Sequence, residues 1–134
     1  MSEKVVRIKA LTIVLALIMT LTGCGEKPDQ PPSVNRKKIE FDFSLLDENG
    51  FRGSETGKVS VSYEFCIPDN EESRRQVREI DPGIQFMPGS RGRIGAGEGQ
   101  CLCVGETGHK DYRRIFSQLA ALPFVERIIE CHFE

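Results

Sequence analysis

Residues 39–134 of this 134-residue chain predict a single α+β domain built on an antiparallel sheet. Three observations carry that prediction. Val59 to Ile67 places an apolar residue at every odd position, the period of a strand with one buried face. Tyr112, Ile115, Phe116, Leu119 and Leu122 recur at the spacing of one helix face, with Arg113, Arg114 and Gln118 outside. Pro-Gly pairs and isolated glycines cut the remainder into short elements.

In chain order, Ile39 to Leu45 alternates apolar and polar residues and reads as a first, half-buried strand. Asp47-Glu48-Asn49-Gly50 breaks it, and Gly53 and Gly57 keep the connection irregular. Val59–Ile67 is the clearest strand, and Pro68 ends it. Asp69 with Glu72 makes a capping pair for a helix over residues 70–80, with Ser73, Val77 and Ile80 inward. Pro82-Gly83 stops that helix. Ile84–Met87 is a short strand, followed by a loop over residues 88–99 with five glycines and both Arg91 and Arg93. Gln100–Gly105 is the next strand. Asp111 caps the second helix, Pro123 ends it, and Val125–Phe133 is the last strand.

The order strand, helix, strand, strand, helix, strand is the split βαβ or ferredoxin-like pattern, β-α-β-β-α-β, with one extra N-terminal strand. It predicts an antiparallel sheet with two helices on one face and the other face open. A competing arrangement pairs Ile39–Leu46 directly with Val59–Ile67 as a hairpin.

The N-terminus is of a different character. Lys4, Arg7 and Lys9 precede an uncharged, mostly apolar run from Ala10 to Thr22, which is too short to span a bilayer comfortably. Positive, then apolar, then small is the pattern of a secretory signal. Its end, Leu21-Thr22-Gly23-Cys24, resembles the lipobox of bacterial lipoproteins, and the resemblance covers only residues 1–24. It implies that residues 1–23 are removed and that Cys24 becomes a lipidated N-terminus. The protein is then anchored to the cell envelope by acyl chains, two or more of which hold it stably. Gly25 after the cysteine, in place of Asp, implies the outer membrane where the cell has two. Residues 24–38, with Pro28, Pro31 and Pro32, read as a lipidated cysteine on a proline-rich tether.

Composition excludes several functions. The 111 residues from Cys24 onward carry fifteen basic and nineteen acidic side chains, a net charge of −4. That argues against nucleic acid and against a polybasic membrane-binding surface as partners. Tryptophan is absent and aromatic residues are few, which leaves no stacking platform for bases or sugars.

Four cysteines remain besides Cys24. An exported domain favours disulfides, and more than one complete pairing is open. In the ferredoxin-like order, Cys66 lies near Cys101 at one sheet end, and Cys101 and Cys103 share a face. The expected placement puts all three on the open face, with Leu102 and Val104 on the helix side. Cys66, Cys101 and Cys103 then form a disulfide, remain inert thiols, or make a redox or soft-metal site. Cys131 shares parity with Val125, Ile129 and Phe133 and is expected in the core as a free thiol. Neither His109 nor His132 offers a fourth ligand for zinc, so no metal or other cofactor is predicted.

The glycine-rich loop reads first as a flexible, exposed hairpin, which in the ferredoxin-like order would hang over these cysteines. Arg91 and Arg93, with exposed amides, suit a carboxylate or phosphate and would lower a nearby thiol pKa. The loop lacks the lysine and following helix of a phosphate-binding P-loop. Catalytic residues are not evident: Glu64 and Glu130 read as solvated carboxylates on the open face, and Ser60 and Ser62 lack a base. The sequence therefore favours a non-enzymatic domain that binds an envelope protein or a small anionic ligand. A thiol redox or metal-handling protein is the alternative.

Overall fold

The computed structural model describes residues 36–132. The signal segment, Cys24 and the tether through residue 35 lie outside the described residues, as does Phe133. The strands are β1 (Ile39–Glu40), β2 (Phe51–Arg52), β3 (Val59–Ser60), β4 (Ser62–Pro68), β5 (Gln85–Pro88), β6 (Gln100–Glu106) and β7 (Ile128–Cys131). The helices are α1 (Glu71–Ile80) and α2 (Tyr112–Ala121).

The fold is α+β. A five-stranded sheet runs in the order β1-β7-β4-β6-β5, and β2 with β3 forms a separate two-stranded ribbon. β4 is central, antiparallel to both β6 and β7, and β5 is antiparallel to β6. β1 runs parallel to β7, Ile39 opposite Ile128, so the sheet is mixed rather than wholly antiparallel.

The extended segment expected over residues 39–45 is cut short, and the competing hairpin with Val59–Ile67 does not form. The Asp42 carboxylate accepts hydrogen bonds from the amide and hydroxyl of Ser44, winding Phe43–Leu45 into a 3-10 turn. Local side-chain-to-backbone bonding of this kind competes with a strand. The turn also brings both Phe41 and Phe43 onto Phe116, with ring centroids 5.4 and 5.0 Å away. Residues 36–38, assigned to the tether by the sequence, form another 3-10 turn.

The long strand expected over 59–67 divides. Val59–Ser60 pairs with Phe51–Arg52, and the turn leading into Phe51 is anchored by Asp47, whose carboxylate accepts from the amides of Asn49 and Phe51. Val59 is consequently exposed, whereas Val61, Tyr63, Phe65 and Ile67 are buried as their alternation requires. Arg52 reaches from the ribbon to Glu130 on β7 with two hydrogen bonds of 2.6 and 2.9 Å.

Tyr63, Phe65 and Ile67 form the floor of the core. Val77 from α1 and Ile115, Phe116 and Leu119 from α2 close over them. Phe116 lies 4.4 Å from the Tyr63 ring, and the Tyr63 hydroxyl donates to Asp81 Oδ2 at the end of α1. α1 is capped by Asn70, which accepts from the Ser73 amide, and not by Asp69, which pairs with Arg74. Asp111 precedes α2 as expected but makes no side-chain cap bond.

The register across β4 and β6 corrects the expected placement of the cysteines. Phe65 is opposite Cys103 and Ile67 opposite Cys101, so both cysteines face the helices and are fully buried. Leu102 and Val104 take the other face with Glu64 and Cys66. The reversal has a physical basis: Cys-Leu-Cys-Val is apolar at consecutive positions, so alternation cannot orient it. Two small thiols fit beneath α1 and α2, and Leu102 finds burial elsewhere. That burial comes from the glycine-rich loop, which folds back over the second face. The face expected to be open is covered at its centre, where Leu102 and Glu64 are each only 2% exposed.

Candidate functional site

The covered face is organised by Glu64. Its position in β4 directs the carboxylate away from the helices, on the side opposite Tyr63 and Phe65. Buried there, it accepts a 2.5 Å hydrogen bond from the Ile94 amide in the loop. A buried carboxylate needs such a partner, and a charge-assisted bond of this kind is among the stronger ones. Gly92 makes the close approach feasible. Its φ is +58°, and a Cβ there would lie 2.8 Å from both Glu64 Oε2 and a Leu102 methyl carbon. Arg127 adds a second tie, donating to the Ile94 carbonyl at 3.3 Å. The loop is therefore a fitted cover rather than a free hairpin.

Between this cover and the sheet lies a cleft of about 370 Å3. Met87, Leu102 and Val104 supply its apolar lining; Glu64, Arg93, Cys131 and His132 supply its polar groups. A largely apolar concavity with a few convergent polar groups is the usual form of a small-molecule site. Farther along the same face, Cys66 lines a smaller hollow of about 120 Å3 with Ile94, Gln100, Phe124 and Arg127.

The residues singled out by sequence are only partly brought together. Arg93 lines the cleft, but Arg91 lines a different hollow on the loop, with Ser90, Ala96 and Glu98. The two arginines do not form one anion clamp. Cys66 lies on the opposite face of the sheet from Cys101 and Cys103, so these three thiols cannot share a metal ion, and a bridge from Cys66 to either would cross the sheet. All four described cysteines are free. Among the described residues, no three His, Cys, Asp or Glu side chains gather as a metal-binding group.

Cys131 also departs from expectation. It is half-buried on the cleft side, opposite Ser62, because β7 begins only at Ile128 and the parity counted from Val125 does not carry into it. Ile128 is the β7 residue in the core. Glu64 and Glu130 likewise do not pair. Glu130 aligns with Tyr63, on the side away from the cleft, and belongs to Arg52, which holds its carboxyl below the usual range against a smaller effect of burial.

The thiols are tuned away from reactivity. Burial, reinforced by the Glu64 charge, pushes the Cys66 thiol up, with Arg127 opposing. The same order of causes raises Cys131, where Arg93 opposes. Burial raises Cys103 much further. The loop arginines therefore do not lower the Cys66 pKa as anticipated, and these three thiols remain protonated at neutral pH.

Sequence reasoning missed Glu64 and Cys131 as cleft residues. One signal for Glu64 was present: a single charged residue between Tyr63 and Phe65, among the small side chains Ser60, Ser62 and Cys66 of the same parity. Cys131 and His132 gave none, because their placement depends on where β7 starts. Comparison with protein families, curated proteins and solved structures finds no match to this chain.

Proposed function

We propose that the chain is a membrane-anchored envelope lipoprotein, lipidated at Cys24, whose exported domain is a non-enzymatic binding module. Its ligand is a small molecule with an apolar body and an anionic head, held in the cleft beneath the glycine-rich loop. The carrying observation is the cleft itself: Met87, Leu102 and Val104 form a greasy floor, with Arg93 as the group able to meet negative charge. Nothing in this arrangement supplies an activated nucleophile. The thiol-redox and soft-metal alternative requires Cys66, Cys101 and Cys103 on one face, which the register of β4 and β6 separates.

We further propose that β7-β4-β6-β5 with α1 and α2 is a ferredoxin-like core to which β1 is appended. The support is the central position of β4 between two antiparallel neighbours and the order of strands and helices along the chain.

Two measurements test the function. Octanoate serves as the probe, with acetate as the head-group control. Octanoate is expected to raise the melting temperature where acetate does not. Arg93→Ala should remove the rise, and Arg91→Ala should leave it in place. No rise with octanoate in the parent protein would discard the cleft assignment. The anchor is tested separately by labelled palmitate in producing cells, which Cys24→Ser should fail to incorporate.

A further inference from the structure

A second concavity, of about 500 Å3, lies where the described chain begins. Ile39, Phe41 and Phe43 line it, and Arg36 and Arg113 stand at its rim. All three apolar side chains are only half-buried, and Leu45, next along the chain, is 53% exposed. The Arg113 guanidinium rests over the Phe43 and Tyr112 rings, 5.5 and 5.1 Å from their centroids. Neither Arg36, Arg113 nor the exposed Lys37 beside Arg36 makes an ion pair with a described residue. Asp42 lines the same hollow and is the countercharge within it, its carboxylate occupied by Ser44.

We propose that this basic-rimmed aromatic groove is the face the domain presents to an anionic phospholipid surface. The inference rests on Cys24 being the lipid anchor. Eleven residues lie between Cys24 and Arg36, twelve peptide steps that at full extension span at most about 40 Å. The anchored domain thus samples the bilayer continually, and the groove is the part of it nearest the tether's point of entry. Arg36, Lys37 and Arg113 face headgroup phosphates there, while Phe41, Phe43 and Leu45 meet the boundary of the acyl region. The net charge of −4 from Cys24 onward conceals this local excess of positive charge. Charge complementarity, with the tether entering at the same place, selects the lipid surface as occupant.

The test uses residues 24–134 with Cys24→Ser, a chain that carries no lipid but keeps the core, since every core residue among the described residues lies between Ile39 and Cys131. Its sedimentation is measured with vesicles of phosphatidylcholine alone and of phosphatidylcholine mixed with phosphatidylglycerol. Binding is expected to the mixed vesicles only, and to be lost at high salt. Arg36→Glu with Arg113→Glu should weaken it about tenfold or more. Arg75→Glu with Arg78→Glu, an equal change of net charge on α1, should leave it unchanged. Circular dichroism verifies that each variant is folded.

Absence of binding, equal binding to both vesicles, or binding indifferent to the Arg36/Arg113 reversal would each overturn the proposal. A dimer in analytical ultracentrifugation that the same reversal dissociates would assign the groove to a second copy and also overturn it. Palmitate labelling of the parent chain is independent of all these outcomes, so failure here and failure of the anchor are told apart.

Discussion

At the scale of single residues, one constraint on the core is a side chain that is missing. Gly105 lies in β6 opposite Tyr63. A Cβ there would come within 2.4 Å of Tyr63 Cζ and 2.7 Å of Ile84 Cδ1. Tyr63 cannot yield freely, because its ring packs on Phe116 and its hydroxyl is bonded to Asp81. Gly105→Ala is therefore expected to lower stability by about 1–3 kcal/mol through overpacking, read from urea unfolding. Gly57→Ala, where a Cβ meets nothing closer than 3.8 Å, is the matched control and should be near neutral. Nothing in the sequence marked Gly105 as different from the loop glycines, since its constraint comes from a strand more than forty residues away.

At the scale of elements, the glycine-rich loop behaves as a cover held by one carboxylate. Removing the acceptor by Glu64→Ala should free the Ile94 amide and let the loop lift, while Glu64→Gln keeps an acceptor in place. Charge-assisted bonds of this kind contribute about 1.5–3 kcal/mol, so limited trypsin cleavage after Arg91 and Arg93 should accelerate roughly tenfold or more in the alanine variant. The glutamine variant should remain closer to the parent. The loop's existence was plain from its glycines, but its seating was not, because that depends on Glu64, thirty residues earlier. The same limit affected β6. Alternation read the face of β4 correctly because Ser60, Ser62 and Glu64 are polar against Val61, Tyr63 and Phe65. It had nothing to grip in Cys101-Leu102-Cys103-Val104, and the faces came out reversed. Phe41 and Phe43 show a third form of it, since period-two spacing there serves a turn stacked on α2 and not a strand.

At the scale of the whole molecule, the ionisable groups set a window of stability with two identifiable edges. Burial raises the folded-state pKa of Cys66, Cys103 and Cys131 above the ordinary thiol value of 9.0, and that of Tyr63 above 10.0. Above pH 9 the unfolded chain releases these protons and the folded chain retains them. Stability is thus unaffected below that point and falls as pH rises through and beyond it, more steeply above 10 where Tyr63 joins. On the acid side, Glu130 is lowered by Arg52, so its contribution is complete above 4.5 and is lost as pH falls below that value. Denaturation midpoints measured across pH should fall at both ends, and Cys103→Ser should flatten the alkaline limb while lowering the whole curve by the pH-independent cost of burying a hydroxyl. Iodoacetamide offers an independent check. The native protein should label slowly at the partly exposed, protonated Cys66 and Cys131, and Cys101 and Cys103 should react only after unfolding.

The sheet's two borders carry a consequence for how the molecule tolerates crowding. β1 is two residues long and ends in Glu40, and β5 is four residues long and ends in Pro88. A long bare border would template another chain's backbone, whereas short ones ending in a charge or an imino acid offer little to extend. Molecules confined to a two-dimensional layer meet one another far more often than molecules in bulk. A domain finished in this way can be packed side by side at high surface density without its sheets joining into fibres.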